Sequence, residues 1–204
     1  MNREDIKSSL YGLGFTSENI EDIEYFIKEL LIYNNKYNLI SNSTKKEVWF
    51  RHVLDSAQLV GIIDFSIVKT LSDLGTGGGF PGLILSIFSK KRNFHVKMYE
   101  KSPVKAQFLN KINENLKLKS EVISGDVKGY YIDSEYIICR AFKKLPEILK
   151  ISREIAKKPH KIVILKGKSA QVEINKALKT CKFDYKLVKS ITDKDSKIII
   201  IDAI

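Results

Sequence analysis

The stretch LSDLGTGGGFPG, Leu71–Gly82, decides the fold that this sequence predicts. An apolar run leads into it and an amphipathic run follows it, which indicates a strand, a tight turn and a helix. Glycines suit such a turn because its backbone angles are closed to other residues, and because a ligand there must approach the main chain. The stretch therefore predicts a ligand-binding turn between a first strand and a first crossover helix.

Two classes of cofactor bind at turns of this kind. Residues 77–82 match GxGxxG, which is typical of dinucleotide sites where a pyrophosphate lies at a helix N-terminus. Asp73 precedes Gly75 by two residues and gives D-x-G-x-G-x-G, the form typical of S-adenosylmethionine sites. That cofactor carries a sulfonium and an ammonium and no phosphate, so an acid beside the turn favours it. We therefore expect S-adenosylmethionine at Asp73, Gly75, Gly77 and Gly79.

Short apolar strands alternate with amphipathic helices from about residue 67 onward. The predicted strands are Val68–Asp73, Phe94–Tyr99, Ser120–Ser124, Tyr136–Cys139, Lys161–Leu165, Tyr185–Lys189 and Lys197–Asp202. The predicted helices are Pro81–Phe88, Pro103–Leu116, Leu145–Ala156 and Ala170–Leu178. This alternation predicts a mostly parallel, doubly wound sheet, and the last two strands, joined only by the turn ITDKD, predict an antiparallel hairpin. The expected fold class is α/β, a Rossmann-like class I methyltransferase with a seven-stranded sheet.

The first part of the chain has a helical pattern. Apolar residues from Ile20 to Leu31 recur at three- and four-residue steps after a predicted N-cap at Ser17. A polar segment follows, and a second helix is predicted over Lys45–Val60. We expect an N-terminal helical extension over residues 1–62, packed on a cofactor-binding domain over residues 63–204.

Two more acids stand where strands are predicted to end. Glu100 closes the second strand, where a carboxylate can accept hydrogen bonds from both ribose hydroxyls of a nucleoside. Asp126 follows the third strand, where a carboxylate can accept from the amine of adenine. One strand-end acid is often merely solvated, but Asp73, Glu100 and Asp126 in order favour a cofactor that contains a nucleoside.

The charge balance indicates a polyanionic partner. The formal net charge is +11 and the isoelectric point is near 9.4. A genome rich in A and T would explain Lys in place of Arg, but not the surplus of bases over acids. The 2 cysteines and 3 histidines are scattered, so no metal site is expected. A polar N-terminus and no apolar run near the roughly 20 residues of a membrane span predict a soluble, cytoplasmic protein.

Several motifs together resemble one known family. They are YNLIS (Tyr37–Ser41), RHVLDS (Arg51–Ser56), DLGTGGGFPG (Asp73–Gly82), SxxKxxFL (Ser102–Leu109), CRAF (Cys139–Phe142) and LKG (Leu165–Gly167). In this combination the chain resembles the bacterial 16S rRNA guanine-N7 methyltransferases, the RsmG/GidB family, over nearly its whole length. The resemblance implies S-adenosylmethionine-dependent methylation of N7 of one guanine in the decoding-region loop of 16S rRNA, on the RNA or on the small ribosomal subunit. We expect the protein to act as a monomer.

The resemblance also implies site residues. Gly75 and Phe80 match cofactor positions of the family, Val127 and Lys128 match its adenine-side contacts, Arg140 lies near cofactor and substrate, and Asn38, His52 and Asp55 line the site. Three positions depart from residues common in the family, because Gly78 replaces a proline, Glu100 a shorter Asp and Lys128 an acid. The last departure leaves a backbone role for residue 128.

The chemistry of N7 methylation needs alignment more than proton transfer. N7 of guanine carries an unprotonated lone pair at neutral pH, so no base has to act before attack, and orientation can supply roughly 7–11 kcal/mol. Arg140, after the fourth strand, is the first candidate to orient the base or bind a phosphate. The alternatives are an ion pair of Arg140 with Asp126 or Glu100, and a Phe142 that either stacks on the base or lies in the core.

Two further expectations concern charged residues. Arg51 and Asp55 stand four apart in RHVLDS, where they would pair on a helix, and His52 beside them is expected to be a hydrogen-bonded structural residue. A basic run after the fourth strand is the predicted RNA footprint, with an affinity that falls steeply with salt: Lys143, Lys144, Lys150, Arg153, Lys157, Lys158 and Lys161.

Other functions stay open at this point. The runner-up is a Rossmann-like methyltransferase that acts on another RNA, a protein or a small molecule. A nucleotide-binding module without catalysis and a dehydrogenase follow. The basic surplus and the pairing of RHVLDS with CRAF favour RNA methylation over these.

Overall fold

A single seven-stranded sheet organises the computed structural model, which describes residues 1–203. The strand order is β3-β2-β1-β4-β5-β7-β6. The strands are β1 Thr70–Leu74, β2 His95–Glu100, β3 Ser120–Ser124, β4 Tyr136–Arg140, β5 His160–Lys166, β6 Tyr185–Lys189 and β7 Lys197–Ala203. The α-helices are α1 Arg3–Gly12, α2 Ser17–Tyr33, α3 Asp55–Ala57, α4 Gly82–Phe88, α5 Pro103–Asn115, α6 Leu145–Ile155 and α7 Ala170–Leu178. Strands β1 to β5 are parallel and β7 runs antiparallel to β5 and β6, which confirms the predicted sheet and hairpin.

The N-cap of helix α2 lies one residue before the predicted Ser17, which is the first residue of the helix. Thr16 is the N-cap: its hydroxyl accepts from the Asn19 N–H at 3.2 Å, and the Asn19 side chain accepts from the Thr16 N–H at 3.1 Å. This reciprocal pair satisfies two donors that a helix start otherwise leaves free. The Asn19 amide also donates to the Ile87 carbonyl oxygen at 2.8 Å, which ties α2 to the end of α4.

The predicted helix Lys45–Val60 is not one α-helix. It divides into a 3-10 turn at Asn42–Glu47, a π-helical turn at Trp49–Leu54, the short α3 and a second 3-10 turn at Gln58–Gly61. A π turn takes more residues than an α turn, so residues four apart no longer share one face. As a result Val53 and Leu54 enter the core while Asp55 faces the edge of the sheet.

The hydrophobic core joins the two parts of the chain on either side of residue 62. Phe26 of α2 packs against Phe80 with ring centroids 5.3 Å apart, and against Phe108 of α5 at 6.3 Å. A second apolar cluster fills the opposite face of the sheet under α6 and α7. Cys139 lies fully buried in that cluster, as expected, and burial raises the pKa of its thiol far above the usual range. Among residues 1–203, no helix is both long and apolar enough to cross a membrane.

All five parallel strands end at one edge of the sheet, the carboxyl edge, which carries the glycine loop. The predicted RNA-binding run does not stay at this edge, because α6 returns the chain antiparallel to the strands. Lys143 and Lys144 follow β4 at the carboxyl edge, whereas Lys161 lies opposite Tyr136 where β4 begins. Four members of the run also face carboxylates within 4.0 Å: Lys143, Lys150, Lys158 and Lys161. The run is therefore spread over both ends of the sheet, and phosphate contact by some of its members stays a prediction.

Gly82 allows α4 to start against the first two strands, and an alanine there should destabilise the protein. A Cβ on Gly82 would lie 2.6 Å from Asp73 Oδ2 and 2.8 Å from Met98 Cγ, both in the buried core. We expect Gly82→Ala to lower the free energy of unfolding by about 1–3 kcal/mol in urea denaturation, as overpacking does. Gly129→Ala is the control, because nothing lies within 4 Å of its added Cβ. Equal stability of the two variants would contradict this packing.

Candidate cofactor and substrate site

The glycine loop takes a conformation that glycines permit. Gly75, Gly77 and Gly79 have φ angles of +69°, +62° and +102°. A Cβ on Gly75 would stand 2.5 Å from Cδ2 of Phe142, so the ring of Phe142 lies directly on the loop backbone. Three glycines of the loop thus have left-handed backbone angles, the Phe142 ring covers Gly75, and Gly75 also borders a cavity.

Asp73 lies beneath this loop with one carboxylate oxygen unused. Its side chain is fully buried, and Oδ2 accepts from the Gly82 N–H at 2.8 Å. Oδ1 of Asp73 and the hydroxyl of Thr76 make no hydrogen bond of good geometry among residues 1–203, although the Thr76 hydroxyl lies near enough to the Asp73 carboxylate to lower its pKa. Burial raises the pKa of Asp73 to about 6. Unsatisfied buried polar atoms cost about 1–3 kcal/mol each, which is a reason to expect a ligand near them.

Glu100 fixes the other side of the loop. Its side chain is almost completely buried, and its two oxygens accept from the Gly77 N–H at 2.8 Å and the Ser102 N–H at 2.7 Å. The predicted contact of Glu100 with a ribose stays a proposal. It would use the same two oxygens, because each carboxylate oxygen has a second lone pair that can accept a hydrogen bond. Glu100 therefore holds the loop whether or not it also binds a ribose.

A cavity of about 270 Å³ opens between the ends of β1, β2, β3 and β4. Its walls include Gly75, Tyr99, Glu100, Lys101, Gly125, Asp126, Val127, Lys128, Phe142, Lys143 and Ile151. We call it the loop cavity. Asp126 Oδ1 accepts from the Lys128 N–H at 3.1 Å, so this turn is closed internally and the Lys128 backbone donor is occupied. Val127 is buried and gives the cavity an apolar wall beside the polar one.

Arg140 is the last residue of β4, and its guanidinium contacts residues of the N-terminal segment. Its Nη1 donates to the Arg51 carbonyl oxygen at 3.0 Å and lies 3.5 Å from Asp55 Oδ2, while Nη2 donates to His52 Nδ1. The guanidinium also lies over the ring of Phe80, 5.3 Å from its centroid. The predicted alternative, an ion pair of Arg140 with Asp126 or Glu100, was wrong, because the carboxylate that faces Arg140 is that of Asp55.

The expected pair of Arg51 and Asp55 was also wrong. Arg51 faces Asp193 at 3.8 Å, because the π-helical turn separates it from Asp55. Asp55 Oδ1 instead accepts from the Thr192 hydroxyl at 2.6 Å and from the Gln58 amide at 2.9 Å. Sequence reasoning missed Gln58 and Thr192, and no local signal marks a contact between residues 137 positions apart.

His52 is held by hydrogen bonds at both ring nitrogens. Because Arg140 is always a donor, Nδ1 must accept and the ring proton sits on Nε2, which donates to the Thr44 hydroxyl at 2.8 Å. Burial, and then the charges of Arg140 and Arg51, lower the pKa of His52 to about 3. The imidazole is therefore neutral at physiological pH and has no free nitrogen with which to act as a base.

Two other predicted residues lie elsewhere than expected. Asn38 is exposed and its side chain makes no hydrogen bond within residues 1–203, so it is not part of the Arg140 cluster. Its neighbours Leu39 and Ile40 cover Gly78, and their N–H groups donate to Asn34 Oδ1 at 2.8 and 2.9 Å. Phe142 is half-buried in the wall of the loop cavity.

A second cavity of about 370 Å³ opens beside Arg140, and we call it the turn groove. Its lining includes His52, Asp55, Lys166 and residues of the β6–β7 turn, Ser190–Ser196. Arg140 and Ala141 line the turn groove, and the next two residues, Phe142 and Lys143, line the loop cavity. Within residues 1–203, no three His, Cys, Asp or Glu side chains come together in a way that would hold a metal ion.

The sequence of this chain matches one family of known proteins. Residues 19–200 match the family model GidB, described as rRNA small subunit methyltransferase G. The chain belongs to this family. A Ribosomal RNA small subunit methyltransferase G of Pelagibacter ubique is 36% identical over 184 residues, covering 88% of this chain and 86% of that protein. The same-named protein of Borrelia turicatae is 32% identical and covers 97% of this chain and 95% of its own length.

Solved structures support the fold of this GidB-family chain. An O-methyltransferase from Bacillus cereus in complex with SAH has a TM-score of 0.59 at 15% identity, covering 88% of this chain and 91% of that one. Aeropyrum pernix fibrillarin with bound S-adenosyl-L-methionine has a TM-score of 0.57 at 14% identity, covering 74% and 75%. The predicted Rossmann-like methyltransferase fold is confirmed.

The neutral state of His52 predicts a dependence of stability on pH. The unfolded chain binds a proton at the imidazole near pH 6.5, whereas the folded protein does so only near pH 3, so stability falls as pH drops between these values. Asp73 acts in the opposite direction, because its raised pKa costs stability as pH rises from 3.8 to about 6. We expect His52→Gln to remove the first effect alone, with a slope change of up to about 1.4 kcal/mol per pH unit. Urea denaturation of both proteins from pH 7 to 4 measures it, and parallel stability curves would contradict the buried neutral imidazole.

Proposed function

We propose that this protein transfers a methyl group from S-adenosylmethionine to N7 of a guanine in the decoding-region loop of 16S rRNA. The observation that carries the proposal is the placement of two cavities at the end of β4: Arg140 and Ala141 line the polar turn groove, and Phe142 and Lys143 line the loop cavity beside Gly75 and Glu100. The relatives are named ribosomal RNA small subunit methyltransferases, which supports this RNA as the substrate. Because bacterial rRNA is made in the cytoplasm, the proposal assigns the activity to that compartment.

The chemistry of the glycine loop and of the loop cavity supports a site for the cofactor. S-adenosylmethionine supplies a methyl group on a positively charged sulfur. Oδ1 of Asp73 offers a negative partner for its cationic end, next to the loop residues Gly75, Gly77, Gly79 and Phe80. We assign the ribose side to Glu100 and the adenine side to the turn of Asp126, Val127 and Lys128, whose apolar member is buried.

The residues around Arg140 suit a reaction that needs no base. His52 is neutral with both nitrogens engaged, and N7 of guanine is already nucleophilic. Arg140 has five N–H donors, of which three are directed to Arg51, Asp55 and His52, so two are left for a substrate. A donor directed to O6 of guanine or to a phosphate leaves the N7 lone pair free. Arg140 thus orients the base, while Asp55 and His52 orient Arg140.

Methyl transfer followed by mapping tests this proposal. Purified protein is incubated with tritiated S-adenosylmethionine and small-subunit particles that lack the modification. The expected result is label at N7 of one guanine in the decoding-region loop. Label at another RNA position would overturn the assigned target, and cofactor binding without RNA label would overturn RNA as the substrate class. Failure to bind cofactor in calorimetry would overturn the use of the loop cavity.

Cofactor affinity should depend on the ionisation of Asp73. Because burial raises the pKa of Asp73 to about 6, its carboxylate is protonated below that pH and loses its attraction for a cation. We expect the cofactor Kd to rise as pH falls below 6, by at most about tenfold per pH unit for one proton. Asp73→Asn should bind more weakly at pH 7.5 and lose this pH dependence, while Asp126→Asn should retain it. Calorimetry from pH 7.5 to 5 measures both, and a wild-type Kd independent of pH would contradict the assigned contact.

A further inference from the structure

The wall of the turn groove is a rigid element. The Thr192 hydroxyl donates to Asp55 at 2.6 Å, and the Ile191 N–H donates to Gln58 Oε1 at 3.0 Å. Inside the turn, Asp193 accepts from the N–H groups of Asp195 and Ser196 at 2.8 and 3.1 Å. Hydrogen bonds therefore hold the β6–β7 turn against Asp55, the partner of Arg140, on one side of the groove.

Two acidic residues that line the turn groove, Glu173 and Asp55, are paired with basic side chains of the protein. Lys166 and Glu173 form a close ion pair at 2.8 Å, with side chains only 10% and 15% exposed. Lys166 also donates to the Lys143 carbonyl oxygen at 2.6 Å. Asp55 has Arg140 as its counter-charge. These acids of the groove therefore present little repulsion to an anion.

Two lysines next to lining residues of the turn groove have no acidic partner in the described part of the chain. Lys168 stands between the lining residues Gly167 and Ser169, and Lys194 follows the lining residue Asp193. Both side chains belong to exposed residues, and among residues 1–203 neither has a carboxylate within 4.0 Å. Lys197, a lining residue, directs its Nζ to the Lys194 carbonyl oxygen at 2.9 Å. The groove thus has internally hydrogen-bonded hydroxyls in its lining and, beside it, two lysines without an acidic partner among the described residues.

We propose that the turn groove binds the RNA backbone beside the target nucleotide, with Lys168 and Lys194 on its phosphates. The proposal rests on RNA as the substrate in the proposed function and names where that RNA lies. A base oriented by Arg140 has its own sugar and phosphate next to this groove. A polyanion favours cations that no acid neutralises. Ribose hydroxyls can donate to the hydroxyl oxygen of Ser169 in the lining, whose own hydrogen is directed to Glu173. The substrate strand therefore crosses the β6–β7 turn and not the surface of α6.

Three double variants compare the possible RNA surfaces. Lys168→Ala with Lys194→Ala removes the groove lysines, and Arg153→Ala with Lys157→Ala removes exposed, unpaired charges of the α6 run. Lys179→Ala with Lys186→Ala is the charge-matched control away from both. Binding to a 16S rRNA fragment is measured by fluorescence anisotropy at several salt concentrations, in parallel with cofactor calorimetry and methyl transfer.

The groove variant should bind RNA roughly tenfold more weakly and lose about 1.5 from the slope of log K against log salt, as two lost phosphate contacts require. Its cofactor Kd, and the RNA affinity of the control, should change by less than about twofold. Weaker RNA binding by the Arg153 and Lys157 variant, with the groove variant unchanged, would overturn the proposal. If wild-type protein binds RNA with this pattern but labels none, the groove stands and the proposed reaction falls. If wild-type protein binds no RNA, both fall.

Discussion

The hydrogen-bonded guanidinium of Arg140, on a side chain that is only 17% exposed, is the interaction on which the site depends. Burial lowers the pKa of Arg140, and the charge of Asp55 opposes that effect. A buried cation left without partners would cost several kcal/mol, so its hydrogen bonds to the Arg51 carbonyl, His52 and Asp55 are required for its position. Through them one side chain on β4 connects the N-terminal segment, and through Asp55 the β6–β7 turn, to the centre of the sheet.

The backbone after Arg140 explains why two neighbouring side chains line different cavities. Ala141 has a φ of +51°, a left-handed conformation that costs a non-glycine residue about 1–3 kcal/mol. The turn it makes separates the two neighbouring side chains. Arg140 lines the turn groove, and Phe142 lies against Gly75 in the loop cavity. The strained residue thus lies between the cofactor side and the substrate side.

Sequence patterns predicted what depends on local spacing. The alternation of strands and helices gave the sheet, and the glycine loop and strand-end acids marked the edge where the cavities lie. Pairings across the chain could not be read in this way, because Arg140 and Asp55 are 85 positions apart and nothing local marks their contact. The π-helical turn was missed for a related reason. The apolar spacing of this segment also fits an α-helix, and only the contacts of His52 and Asp55 at the sheet edge distinguish the two.

The most direct test of this account replaces Arg140 by Lys and measures single-turnover methyl transfer beside cofactor binding. Lysine keeps the charge but has no planar fork to hold the Arg51 carbonyl, His52 and Asp55 at once. The account predicts a transfer rate roughly 100-fold lower, the scale of a small misplacement of reactants, with cofactor affinity within about threefold of wild type. An unchanged transfer rate in a folded Arg140→Lys protein would contradict the role given to this guanidinium.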